Sequence, residues 1–155
     1  MAQRLDPDGD ITTTNWETAP LWSKLNDGAT PNDGSPINNT AGVDARTDTC
    51  EVSLTNPPTT PGNSNTTVSV RGALLAAGTL STQVAARLMQ GAAQIGIASG
   101  IQTNWPDSTF VTVTFNTTNA ISDFNDLRVR ISAVTANGET IDQYYISWIK
   151  VDVQV

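Results

Sequence analysis

The chain has 155 residues, enough for one domain with a real hydrophobic core, and it carries a formal net charge of −7 with no histidine. An acidic chain without a basic cluster speaks against nucleic acid and anionic membrane surfaces, because both need Lys or Arg to neutralise phosphate. The lack of histidine removes Ser–His and Cys–His nucleophile pairs and His metal ligands, and no stretch approaches the roughly 18 consecutive apolar residues of a spanning helix.

Residues 1–46 show little periodicity. The first ten residues have no apolar run of the kind a secretory signal needs. Turn chemistry then recurs at Asp6-Pro7-Asp8-Gly9-Asp10, at Asn26-Asp27-Gly28 and at Pro31-Asn32-Asp33-Gly34, because Pro presets φ while Gly and Asn accept positive φ. Trp16, Leu21, Trp22 and Leu25 lie among these polar residues, and two tryptophans need burial somewhere. We therefore expect an ordered N-terminal arm over 1–46, packed on the domain or on a neighbouring subunit, and a β-sandwich domain over 47–155. Trp16, Leu21 and Trp22 are the candidate contact residues, and residues 19–25 suit one short helical turn. Asp6, Asp8 and Asp10, with Glu17 further on, echo the ligand spacing of a calcium loop. However, Ile11 stands where that loop needs Gly. The plainer reading is a set of Asx turns, so no metal is expected and the three aspartates remain weak candidates.

Strands are expected from Thr47 onward. Thr49 to Leu54 alternates and stops at Asn56-Pro57-Pro58, and Thr66 to Gly72 forms a second run. Residues 73–90 fit both periods. Leu80, Val84 and Leu88 have helical spacing, but the same residues alternate with Ser81, Gln83, Ala85, Arg87 and Met89. The glycines nearby favour strands, with a hairpin turn at Gln90-Gly91 and a further run through Ile95 and Ile97. Phe110 to Phe115 is a clear strand. The link that follows carries Ile121 and Phe124 and has room for a helical turn over one end of the sheets.

Residues 126–155 read as one long β-hairpin. Leu127, Val129, Ile131 and Ala133 alternate with Arg128, Arg130 and Ser132, and Asn137-Gly138 supplies the residues of a type I′ turn. The return strand puts Tyr145, Ile149, Val151 and Val153 on one face. Its other face starts apolar (Tyr144, Ile146, Trp148) and ends polar (Lys150, Asp152, Gln154), as for a strand covered on both sides at one end. In all, about seven or eight strands with turns between them point to an all-β fold, an antiparallel sandwich of jelly-roll or immunoglobulin-like type.

Chemistry is sparse. Carboxylates are plentiful, but no spacing pairs two of them as glycoside hydrolysis requires, so no enzyme and no cofactor is expected. Cys50 stands alone and reads as a small buried hydrophobe. A sandwich carrying Trp16, Trp22, Trp105, Trp148, Tyr144 and Tyr145 could offer a stacking platform to a sugar ring. Trp105, in the turn Asn104-Trp105-Pro106, is the ring expected to be exposed.

Several stretches resemble small tailed-bacteriophage virion proteins of the jelly-roll capsid decoration, or cement, type. They are Leu5-Asp6-Pro7-Asp8-Gly9-Asp10 with Trp16, then Val70-Arg71, Leu88-Met89-Gln90-Gly91, Ile121-Ser122-Asp123-Phe124-Asn125-Asp126-Leu127-Arg128-Val129-Arg130 and Ile146-Ser147-Trp148. The resemblance implies a non-enzymatic structural protein, made in the host cytoplasm and placed on the capsid exterior. There it would clamp the major capsid protein, as a homotrimer, with the arm residues at the capsid contact. The alternative is a carbohydrate- or receptor-binding module of a head or tail fibre. No catalytic residue comes with the resemblance, and neither reading involves nucleic acid or membrane.

Overall fold

A computed structural model describes residues 2–17, 19–39, 47–61, 65–74, 83–96, 101–103, 109–134 and 143–154. The strands are β1 (Ala2–Leu5), β2 (Pro7–Thr14), β3 (Ile37–Asn38), β4 (Thr47–Leu54), β5 (Thr66–Leu74), β6 (Gln83–Gln90), β7 (Ala93–Ile95), β8 (Ile101–Thr103), β9 (Val111–Thr117), β10 (Leu127–Val134) and β11 (Tyr144–Gln154). The helical elements described are one turn, α1 (Trp22–Leu25), and a 3-10 turn at Phe124–Asp126. Both fall in segments whose sequence suits such a turn.

The strands form two antiparallel sheets. One is ordered β1-β11-β5-β9, with β3 also on β11; the other is ordered β2-β4-β10-β6-β7, with β8 also on β6. The expected sandwich is borne out. From β4 onward the long strands change sheet at each step, with β4, β6 and β10 in the six-stranded sheet and β5, β9 and β11 in the other. This is the winding of a jelly roll. Inward residues alternate as a half-buried strand demands. Cys50, Val52, Val84, Ala86, Leu88, Val129 and Ile131 from one sheet meet Val68, Val70, Ile149, Val151 and Val153 from the other in a single core. The ambiguous stretch resolves as strand over Gln83–Gln90, paired along its length with β10; residues 75–82 lie outside the described set. Gly91, at φ +55°, makes the expected turn into β7.

Two expectations are corrected. Residues 126–155 are not a hairpin: β10 pairs with β4 and β6, while β11 pairs with β1, β3 and β5 in the opposite sheet. The Asn137-Gly138 turn lies outside the described residues. The second is the assignment of residues to the faces of β11, which does lie inside its sheet and is covered on both faces at its apolar end. A register shift falls between Ile146 and Trp148. Before it Tyr144 and Ile146 face the core; after it Ile149, Val151 and Val153 do. One bulge residue flips the phase of everything beyond it, so a single inward row looks in sequence like two.

The N-terminal segment is built into both sheets. β1 lies along β11 and β2 along β4, with two register shifts in the β2 ladder. The expected boundary at residue 46 lies outside the described residues. Asp10 on β2 accepts backbone N–H bonds from Leu21 and Trp22, both at 2.8 Å, and so holds the start of α1 against the sheet. Residues 26–36 cross the outer face of the five-stranded sheet. There the Trp148 indole N–H donates to the Gly28 carbonyl at 3.0 Å, and Asp33 accepts from Arg71 at 2.6 Å and Ser147 at 2.7 Å.

Candidate functional site

Trp16 is 5% exposed and Leu21 fully buried, and both belong to the sandwich's own core. Trp22 is half-buried and packs against that core. For Trp16 and Leu21 the chain itself provides the burial that the sequence demanded, while Trp22 keeps part of its surface exposed. The aspartates do not converge either. Asp6 pairs with Arg4 at 2.6 Å, Asp8 accepts from the Ser53 hydroxyl at 2.6 Å, and Asp10 is spent on α1. No group of three or more His, Cys, Asp or Glu side chains suited to a metal gathers among the described residues.

The aromatic residues divide. Tyr144 and Trp148 are buried. Tyr145 is half-exposed and stacks near-parallel on Phe110, with centroids 6.5 Å apart and Arg71 over the Phe110 ring at 5.9 Å. Trp105 lies outside the described residues. Cys50 is buried, as expected, and its thiol is pushed up to about 12 by burial, with the charges of Asp10 and Glu51 adding to the effect. It is therefore inert at neutral pH.

The feature with chemical content is the outer face of the six-stranded sheet. A groove of about 540 Å³ runs across it, within the size range of a small-ligand site. Its lining includes the hydroxyls of Thr12, Thr14, Thr47, Thr49 and Ser132, the Gln94 amide, the Met89 side chain, and the charged trio Glu51, Arg130 and Arg87. These side chains share a face because outward residues alternate with core residues along β4, β6 and β10. Register brings them together. Ser132 stands opposite Thr49, and Arg130 stands opposite Glu51 on one side and Arg87 on the other.

The electrostatics of that row are uneven. Glu51 is 2% exposed. Its carboxylate accepts from Arg130 Nε at 2.5 Å and lies 3.5 Å from Arg128 Nη1. Arg128 in turn pairs with Asp126 at 2.8 Å. A buried carboxylate survives only with such partners. Arg87, by contrast, is half-buried and makes no hydrogen bond or ion pair among the described residues, while facing a like charge across the ladder. Directly opposed like charges cost stability. Three of the chain's eight cations stand on this face of an otherwise acidic protein. The alternation of Arg128, Arg130 and Ser132, and of Arg87 and Met89, is legible in the sequence. Their assembly across three strands from distant parts of the chain is not.

No protein-family model matches the chain, and no curated protein does. Among solved structures, a family 35 carbohydrate-binding module from an environmental isolate is similar at 13% identity and a TM-score of 0.47, over 97% of this chain and 92% of that one. A family 29 carbohydrate-binding module from Piromyces equi is similar at 13% identity and a TM-score of 0.42, over 98% and 91%. The CBM22-1 xylan-binding domain of Paenibacillus barcinonensis Xyn10C is similar at 10% identity and a TM-score of 0.39, over 97% of each chain. Likeness at this level carries no inference about a ligand.

Proposed function

We propose that this chain is a non-catalytic binding sandwich that takes a saccharide chain along the outer face of its six-stranded sheet. The observation behind this is the groove itself. It is built across the strands of a sheet, and its lining brings together hydroxyl, amide and guanidinium side chains, the hydrogen-bonding partners of a polyol, with the apolar Met89 and Ala92 beside them. The one carboxylate among its described lining residues, Glu51, is tied to Arg130, so no acid pair for hydrolysis stands among them. Combined with the resemblance to phage virion proteins, this corresponds to a receptor-binding module of a head or tail fibre.

A glycan array probed with the full chain tests the reading, alongside Thr49→Trp, which fills the groove from a half-exposed position. The expected result is glycan retention by wild type and loss in the variant, with an unchanged melting temperature. Retention that survives the substitution overturns the site, and no retention of any glycan overturns the function.

The second reading is a trimeric capsid decoration protein bound to the major capsid protein on the particle exterior. Its support is that the resembling stretches are spread over both sheets, as a shared scaffold would be: Asp10, Arg71, Gly91 and Trp148 each hold fold contacts here. Co-sedimentation with capsids separates the two readings. A decoration protein binds undecorated shells, and Thr49→Trp leaves that binding intact if the saccharide groove is not the docking face.

A further inference from the structure

We propose that the ligand of this face is an acidic saccharide, a polyuronate, and that Arg87 is the residue that reads its carboxylate. This rests on the saccharide reading above and adds the charge of the ligand to it.

The charges on this face are not balanced. Glu51, Arg130, Arg128 and Asp126 form a closed set in which every charge has a partner. Arg87 is left over. It sits on the central part of β6 with Arg130 directly opposite and Met89 two residues along the same face, inside the groove. A cation in that position repels its neighbour, and no carboxylate of the described chain answers it. None of the acidic residues among the described ones is placed against this guanidinium. A planar guanidinium with its donors free is suited to a carboxylate, which it can hold through two parallel N–H···O bonds. Arg71 does this to Asp33 within the same molecule, through Nε at 2.9 Å and Nη2 at 2.6 Å. Apart from the Glu51–Arg130 pair, the rest of the described lining is uncharged and carries several hydroxyls, which fits the neutral part of a sugar ring on either side of a carboxylate. A free inorganic anion would leave most of that lining unused.

The test is binding of the full chain to polygalacturonate and to its fully methyl-esterified form, which keeps the backbone and removes the charge. Alginate serves as a further polyuronate, and hyaluronate as a chain with a uronate at every second sugar. Wild type is expected to bind the acid form at least about tenfold more tightly than the ester, with the preference shrinking as salt is added. Arg87→Gln is expected to lose the preference, and Arg87→Lys, which keeps the charge but not the fork, to retain part of it. Removing Arg87 also removes the repulsion with Arg130, so Arg87→Gln is expected to melt no lower than wild type. If acid and ester bind equally and Thr49→Trp abolishes both, the saccharide face stands and the acidic specificity is overturned. Retention of the preference in Arg87→Gln overturns the role of Arg87. Failure of every polysaccharide to bind overturns both.

Discussion

Single residues here are decided by whether their charges and hydrogen bonds are met. Asp33 shows the satisfied case. The Arg71 guanidinium bonded to it lowers its carboxyl below the ordinary value of 3.8, burial opposes that, and the Ser147 hydroxyl adds to the lowering. Because the folded value is depressed, the unfolded chain binds the proton more readily. The contribution to stability is therefore fully present above the unfolded carboxylate's range and is lost as pH falls through the folded value. Urea unfolding measured from about pH 6 down to about pH 2 should show Asp33→Asn losing less stability with acid than wild type. Arg87 is the unsatisfied counterpart, and the contrast between the two guanidiniums is what gives the six-stranded sheet's outer face its functional reading. Trp16 carries a smaller imbalance: its ring is buried, yet its indole N–H has no partner among the described residues.

At the scale of elements, irregularities decide what faces what. The bulge at Ser147-Trp148 exchanges the faces of β11 and presents Trp148 outward, to be covered by residues 26–36. The β6–β7 turn is fixed in a similar way from outside. Gly91 donates its N–H to the Asp126 carbonyl at 3.1 Å, and the Gln90 amide clasps Ser122 through the Ser122 N–H at 3.0 Å and the hydroxyl at 2.7 Å. A β-carbon at Gly91 would meet Asp126 Oδ2 at 2.8 Å, on a backbone already at φ +55°. Gly91→Val should therefore lower stability by about 1–3 kcal/mol, read as a shift in the denaturant midpoint. An unchanged midpoint would mean that the turn relaxes freely. The turn also bears on the proposed site, because Met89 and Gln94, on either side of it, line the groove.

For the whole molecule, the N-terminal segment is a structural part of the sandwich. Trp16, Leu21 and Leu25 lie in the same core as residues from both sheets. Trp16→Ala should consequently cost about 3–5 kcal/mol and lower the melting temperature of the isolated chain, whereas a pure docking residue would leave it unchanged. The same thermal melt gives the metal prediction. Since Asp6, Asp8 and Asp10 each have separate partners, EDTA should not move the transition, and a downward shift would restore the calcium loop. Large exposed apolar side chains are rare among the described residues; Ile11, at 46%, is the one of note. The outer faces are hydrophilic, which suits recognition through hydrogen bonds more than a wide apolar interface.

The sequence by itself determined the fold class, most of the strands after residue 46, the two short helical turns, the inert Cys50 and the absence of a histidine-based site. Those features depend on local periodicity and residue chemistry, which a linear chain displays directly. The pairing of strands was decided only in three dimensions. Adjacent alternating runs with Asn-Gly between them suit a hairpin, yet β10 and β11 went to opposite sheets, because burying both inward rows against each other satisfies more apolar surface than pairing them edge to edge. Strands near the N-terminus stayed illegible because bulges and turn residues broke their period. The groove was hidden for a related reason: Glu51, Arg87 and Arg130 are far apart in sequence, and only register places one unanswered charge among hydroxyls.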